Sequence, residues 1–224
     1  MERLTYAQAM TKTLPFMCKL AACVTLLVCV GFDFGCRASA QQPSSAKVVG
    51  RWRSLETSKG GIGVMYEFRL DGTVDFSPGA VVEMPWRIES NQLILPPATT
   101  GGTEQKLNLK WLGDNKLSWA TEAGVTELAR VGDRADAGNP IIGEWIENRE
   151  MAGRKLEAHW LFYPGGKILL LMPFATQHGS YTISDSALHL KVPGLKPEFR
   201  FGLTNDLLTL SEPEGGHEDR YARY

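Results

Sequence analysis

The chain has 224 residues and a formal net charge of −1, with 43% hydrophobic and 22% charged residues. This balance excludes an intrinsically disordered chain, which carries less apolar material, and leaves no basic footprint for nucleic acid. The length suits one larger domain or two small ones. All four cysteines lie within the first 36 residues. The remainder therefore has neither disulfides nor a thiolate metal site, and must rely on an apolar core.

Residues 20–32 (LAACVTLLVCVGF) carry no charge and directly follow Lys19. Such a run is too short to span a bilayer comfortably and is typical of a signal-peptide core behind a basic flank. Met10 or Met17 as the start would give a more usual basic segment. We therefore predict a signal peptide over residues 1–40 and export from a bacterial cell, with residues 41–47 as a polar tether.

Two processing sites compete at the end of this segment. Ala38-Ser39-Ala40 fits cleavage before Gln41, which predicts a freely secreted protein. Gly35-Cys36 resembles the end of a bacterial lipobox, which implies lipid attachment at Cys36, an outer-membrane or periplasmic lipoprotein, and membrane contact through that anchor alone. Asp33 and Phe34 depart from the lipobox pattern, so both fates stay open.

From residue 48 to 131 the apolar residues alternate with a period of two, which predicts β-strands. Val64, Tyr66, Phe68 and Leu70 form one apolar face, and Asp71-Gly72 then suits a tight hairpin. Ser77-Pro78-Gly79 is expected to break the return strand. The pattern predicts about eight short strands and no helix, as in an all-β sandwich or barrel of neighbouring hairpins.

Residues 132–139 are polar and rich in small residues, and we interpret them as a linker. The landmarks of the first block then recur over residues 140–224. Gly50-Arg51-Trp52 matches Gly143-Glu144-Trp145, and the later aromatic and leucine positions follow at nearly constant offsets. This recurrence predicts two tandem repeats of one design. The apolar run Ile168–Met172 is either buried on both faces or exposed as a patch, and we favour burial, as a strand lying between the repeats would show.

A Gly-x-Trp opening with an arginine on the last strand resembles the lipocalin-like (calycin-type) proteins, and especially short lipocalin-like domains of exported bacterial proteins, most without an assigned activity. Phe68 to Gly72, Trp86-Arg87-Ile88 and Leu93-Ile94-Leu95 match their further motifs, whereas Gly165 departs from the usual aspartate. The resemblance implies that each repeat is an antiparallel up-and-down meander that closes into its own small barrel. Closure then falls to six residues: Gly50, Trp52 and Arg130 in the first repeat, and Gly143, Trp145 and Arg223 in the second.

The sequence offers few candidate residues for catalysis, metal binding or ligand binding. We expect the bulky aromatic residues to fill solid barrel cores, with a ligand cavity as the alternative. The four histidines, His159, His178, His189 and His217, show no metal-binding spacing, and His159 and His189 are expected on the solvent face. No nucleophile elbow or phosphate-binding loop occurs. We predict no catalytic residue, no metal ligand and no cofactor.

The leading hypothesis is a non-catalytic binding or interaction module of the bacterial cell envelope. Its partner would be a small apolar ligand in a barrel mouth, or an envelope protein on the loops or on the strand at residues 168–172. A hydrolytic or metal-dependent enzyme centred on the histidine-containing second repeat is one alternative. A purely structural pair of repeats is another.

Overall fold

The computed structural model describes residues 47–97, 101–121, 124–133, 138–184 and 187–224. The predicted signal peptide, both processing sites with Cys36, and all of the tether except Lys47 lie outside these ranges, as do residues 134–137 of the linker. In the part of the chain that is described, no helix has the length and apolar character needed to cross a bilayer.

The elements of the described residues are sixteen β-strands, and neighbouring strands run antiparallel, so the predicted all-β antiparallel class is confirmed. Eight lie before the linker: β1 (Gly50–Ser54), β2 (Ile62–Phe68), β3 (Thr73–Pro85), β4 (Arg87–Glu89), β5 (Gln92–Leu95), β6 (Gln105–Trp111), β7 (Lys116–Thr121) and β8 (Gly124–Arg130). Eight follow it: β9 (Gly143–Met151), β10 (Arg154–Tyr163), β11 (Lys167–Pro173), β12 (Gln177–Ser184), β13 (Ala187–Lys191), β14 (Glu198–Thr204), β15 (Leu207–Ser211) and β16 (Glu218–Arg223).

A closed eight-stranded barrel forms from β1, β2, the first part of β3, and β12 to β16. Two pairings join the parts from either side of the linker. β1 pairs with β16, and residues 73–76 of β3 pair with β12. We call this closed structure the barrel.

The other strands continue the same sheet in the order β11-β10-β9-β8-β7-β6-β5-β4. β11 pairs with residues 79–85 of β3, and β4 follows β3 after the single residue Trp86. The two ends of this series are therefore brought together through β3 and Trp86, whose backbone N–H donates to the carbonyl of Gly166. We call this series of strands the ring.

The barrel thus takes three strands from before the linker and five from after it, whereas the ring takes five from before the linker and three from after it. The expectation that each repeat closes its own barrel is wrong. The reason lies in β3, which runs straight through Ser77-Pro78-Gly79, where the sequence predicts a break. At that point β3 leaves β12 and takes β11 as its neighbour, so the chain passes from the barrel into the ring.

Three apolar clusters follow from the alternation of the strands. The barrel is filled by a cluster that includes Trp52, Tyr66 and Phe68, and the ring by one that includes Trp145 and Trp160. A third cluster, Met65, Val81, Leu161, Leu169 and Leu171, lies between barrel and ring. In β11, Ile168 and Met172 face the ring core while Leu169 and Leu171 face the third cluster, so this strand is buried on both faces.

Candidate functional site

The barrel end at β1 is held by Trp52 and Arg223. The Trp52 side chain is fully buried, and its indole N–H donates to the Val48 carbonyl at 2.7 Å. The Arg223 guanidinium lies 4.2 Å from the Trp52 ring centroid and donates to the carbonyls of Val49 and Lys47. A cation over an indole contributes about 0.5–2 kcal/mol. Gly50 has a φ of +134°, a conformation that side chains rarely adopt, and a Cβ there would meet the Arg223 guanidinium, so the position favours glycine.

The ring end at β9 repeats this arrangement contact by contact. Trp145 is fully buried and donates to the Ile141 carbonyl at 2.8 Å, while Arg130 lies 4.1 Å from its ring centroid. Arg130 donates to the carbonyls of Ile142 and Pro140. A Cβ at Gly143 would come within 2.8 Å of Arg130.

The partners are crossed relative to the prediction. Sequence reasoning places Trp52 with Arg130 and Trp145 with Arg223. In the structure Trp52 lies opposite Arg223, and Arg130 lies opposite Trp145, because β1 pairs with β16 and β8 with β9. Both guanidinium groups contact a buried indole and donate to backbone carbonyls, so they hold strand ends together.

Between barrel and ring, Arg51 meets Glu144. The guanidinium donates two hydrogen bonds to the carboxylate, of 2.8 and 2.7 Å, and His159 Nδ1 lies 2.8 Å from the same carboxylate. Burial alone would raise the pKa of Glu144, but hydrogen bonds from His159 and Arg51 outweigh it and lower the pKa to about 2. The expectation of a solvent-facing His159 is wrong, since its imidazole packs at the junction of barrel and ring.

A cavity of about 370 Å³ opens at the end of the ring away from Trp145. Its apolar lining comes from Leu95, Leu107, Trp119 and Trp160, on strands β5, β6, β7 and β10. The two indole rings meet edge to face at a centroid distance of 5.0 Å. This cavity is the candidate ligand site.

An ion pair between the buried Glu147 and the partly exposed Arg149 lies in the wall of the cavity. Glu147 is only 4% exposed, and one carboxylate oxygen accepts from the Trp160 indole N–H at 2.8 Å. The other accepts from Arg149 Nε at 2.6 Å, and that guanidinium lies over the Trp160 ring at 5.4 Å. Each carboxylate oxygen thus has a hydrogen-bond donor, as a buried polar group requires. The pair gives the cavity a polar side.

No family model, curated protein or solved structure matches the chain. The lipocalin-like identity therefore stays a proposal that rests on the residues themselves.

The histidines do not come together. His159 meets Glu144, His178 meets Asp75 at 2.7 Å, His189 lies 3.7 Å from Glu198, and His217 lies 3.3 Å from Asp219. Within the described ranges no three histidine, cysteine or acidic side chains are grouped so that they could hold a metal ion. Each histidine thus has one carboxylate partner of its own.

Sequence reasoning missed Glu147, although a signal was present. It follows Trp145 by two residues, so in an alternating strand both point to the same, inward face. A charged residue in the inward phase marks either a buried pair or a site. The same alternation places Arg149 on that face, two residues further along β9, but it could not reveal Trp160, which lies on β10.

Proposed function

We propose that this protein is a non-catalytic binding protein of the bacterial cell envelope, and that the open end of the ring holds a small amphipathic molecule. The observation that carries the proposal is the cavity of about 370 Å³ at that end. Its volume lies within the range of small-molecule pockets, and it combines an apolar wall with a few placed polar groups, as such pockets do.

The lining indicates the chemistry of the ligand. Trp119, Leu95 and Leu107, which are nearly buried, form the apolar floor of the cavity beneath one part of a molecule. Gln105, Thr121 and the pair Glu147–Arg149 offer hydrogen bonds to another. A small molecule with an apolar body and a polar end fits this lining.

The crossed Trp–Arg pairs support the proposed relationship of the two blocks. Trp52 and Trp145 each donate to the carbonyl four residues earlier, and each is covered by an arginine that binds two further carbonyls. Such equivalence is expected of a duplicated lipocalin-like unit. Export by the segment at residues 1–40, with or without a lipid on Cys36, belongs to the same proposal.

The test uses the amphipathic dye 1-anilinonaphthalene-8-sulfonate, titrated into the full chain and followed by dye fluorescence and quenching of tryptophan emission. We expect saturable binding to one site. Thr126→Phe fills the cavity from β8 and should weaken binding at least about tenfold, or about 1.4 kcal/mol. Thr182→Phe, at an exposed position of β12, is the matched control and should bind as the wild type does. Non-saturable binding, or equal binding by Thr126→Phe, would refute the proposal.

A further inference from the structure

A second cavity, of about 570 Å³, lies where barrel and ring meet. The barrel lines it through Arg53 on β1 and through Ala222 and Arg223 on β16. The ring lines it through Tyr163, at the end of β10, and Lys167, at the start of β11. We call it the junction cavity. It shares no lining residue with the cavity at the open end of the ring, so a ligand bound here would be independent of the one proposed above.

Two tyrosines give the junction cavity its aromatic surface. Tyr163 and Tyr224 are both partly exposed, and both pack against the third cluster. The Arg51 guanidinium lies 4.8 Å from the aromatic centroid of Tyr224, a contact that helps to fix this side chain. The face of an aromatic side chain carries negative charge density, so it attracts the weakly positive C–H groups of a ligand.

The hydroxyls of these tyrosines are available to a ligand. Within the described ranges, neither the Tyr163 nor the Tyr224 hydroxyl has a hydrogen-bond partner. Burial raises the pKa of Tyr163, and it raises the pKa of Tyr224 to about 12. Both hydroxyls therefore keep their proton at neutral pH, and each can donate one hydrogen bond and accept another.

The charged lining mixes donors with acceptors. One Glu83 oxygen accepts from Arg53 Nη2 at 2.5 Å, and the other lies 2.9 Å from Lys167 Nζ. Asp206 lies 3.3 Å from Arg223 Nε. The side chains of Lys167 and Asp206 are 51% and 79% exposed, so their remaining hydrogen-bonding capacity faces water. An ammonium group has three N–H donors and a carboxylate about four lone pairs, so both signs of charge keep capacity for a ligand.

This lining decides between classes of ligand. A purely apolar molecule would remove water from the charged groups without replacing its hydrogen bonds, which is costly. A small anion would meet Glu83 and Asp206 beside the cations, and a small cation would meet Lys167 and Arg223 beside the carboxylates. A molecule with many hydroxyls and flat C–H faces fits, because each hydroxyl both donates and accepts and each face packs on an aromatic side chain.

We propose that the junction cavity binds a pyranose unit of an oligosaccharide. The C–H face of the sugar packs against Tyr163 or Tyr224, while its hydroxyls bind the free phenol groups, Lys167 and Glu83. Hydrogen bonds to charged side chains are strong and directional, so they select the orientation of the sugar. The volume of the cavity lies within the range of small-molecule pockets.

The experiment titrates the ¹⁵N-labelled full chain with cellotriose, maltotriose and chitotriose in turn, and follows amide signals by two-dimensional NMR. Sorbitol is the control ligand, because it carries as many hydroxyls as a hexose but has no flat pyranose face. We expect at least one trisaccharide to bind saturably, with a Kd of about 1 mM or below, and to shift the signals of Tyr163 and Ala222. Sorbitol should shift neither signal.

Variants of the lining complete the test, with circular dichroism as the check that each variant is folded. Tyr163→Phe keeps the aromatic packing but removes one hydroxyl, and should weaken binding about threefold or more. Ala222→Leu fills the junction cavity from β16 and should weaken binding at least about tenfold. Ala129→Leu, at an exposed position of β8, is the matched control and should bind as the wild type does.

The two proposed sites are tested separately. Thr126→Phe, which fills the cavity at the open end of the ring, should leave trisaccharide binding unchanged, and Tyr163→Phe should leave dye binding unchanged. Failure of one proposal therefore does not carry over to the other. The sugar site is overturned if none of the three trisaccharides binds, if sorbitol binds equally well, or if Tyr163→Phe and Ala222→Leu both bind as the wild type does.

Discussion

Arg51 and Glu144, ninety-three residues apart, bind each other through two hydrogen bonds at the junction of barrel and ring. Each is the middle residue of a Gly-x-Trp segment, so matching positions of the two blocks meet. Residues of like charge at both positions would repel each other. The opposite charges attract each other because one segment carries arginine and the other carries glutamate at this position.

Glu144 should make the stability of the fold depend on acid pH. Its pKa is about 2 in the folded protein against an ordinary 4.5, so the ionised carboxylate stabilises the fold above pH 4.5. That contribution is lost as the pH falls through 4.5 toward 2. We expect the wild type to lose roughly 2 kcal/mol more unfolding free energy than Glu144→Gln between pH 6 and pH 3. Urea titrations at several pH values measure this. Glu150→Gln, at an exposed position, is the control, and parallel pH curves for wild type and Glu144→Gln would contradict the assignment.

The two Trp–Arg contacts predict which substitutions are energetically coupled. Trp52→Leu and Arg223→Met remove the two sides of one contact, so their effects on unfolding free energy should be non-additive by about 1 kcal/mol. Trp52→Leu and Arg130→Met remove parts of two different Trp–Arg contacts, so their effects on unfolding free energy should add within about 0.5 kcal/mol. Double-mutant cycles in urea test both pairs. Coupling of Trp52 to Arg130 rather than to Arg223 would indicate that each block closes on itself.

Much of the strand pattern was predictable because alternation is a local property. Tyr66 and Phe68 face inward as their spacing indicates, and the roles of Trp52 and Trp145 as buried anchors follow from the same phase. The exchange of partners was not predictable. Whether β3 pairs with β11 or with a strand of its own block depends on long-range contacts, and both arrangements give the same periodicity. The contact of Glu147 with Trp160 was hidden for the same reason, because it joins two different strands.

Engineered disulfides distinguish the two arrangements directly. Asp75 and His178 are register partners on β3 and β12, and their side chains are hydrogen-bonded. Asp75→Cys with His178→Cys should therefore form a disulfide on mild oxidation. Closure within the first block would instead bring Asp75 beside Glu83, the residue that matches His178 in the offset series. In the structure these two lie eight residues apart on one strand, about 26 Å, so Asp75→Cys with Glu83→Cys should keep free thiols.

The disulfide experiment uses a chain in which the native cysteines are replaced by serine, and it is read by peptide mass mapping under non-reducing conditions. Native cysteines to be replaced are Cys18, Cys23, Cys29 and Cys36. A cross-link between positions 75 and 83 would show that the first block closes on itself.

Glu147 should matter for stability as well as for the cavity. Glu147→Ala leaves the indole N–H of Trp160 and the guanidinium of Arg149 without their acceptor, at an expected cost of roughly 2–4 kcal/mol in unfolding free energy. Glu147→Gln keeps one acceptor oxygen and should cost about 1–2 kcal/mol. Glu157→Ala, at an exposed position of β10, should stay within about 0.5 kcal/mol. Equal effects of all three substitutions in urea unfolding would mean that the buried pair contributes nothing specific.

Gly79 marks the point where β3 passes from the barrel to the ring. It is a register partner of Gly63 on β2 and of Pro173 on β11, so two strands approach it closely. A Cβ there would come within 2.3 Å of the Met172 carbonyl oxygen and 2.8 Å of Pro173 Cα, both backbone atoms that cannot turn aside. Gly79→Ala should therefore force β3 and β11 apart and lower the unfolding free energy by roughly 1–3 kcal/mol.

The matched control for Gly79→Ala is Gly60→Ala. A Cβ at Gly60 would meet nothing closer than Ser58 Oγ at 3.8 Å, so its effect should stay within about 0.5 kcal/mol. Amide hydrogen exchange adds a spatial readout, because the strain lies where β3 meets β11. Faster exchange in residues 79–85 and 167–173 is expected for Gly79→Ala and not for Gly60→Ala. Unchanged protection of these two strands would show that the passage of β3 between barrel and ring does not depend on this close approach.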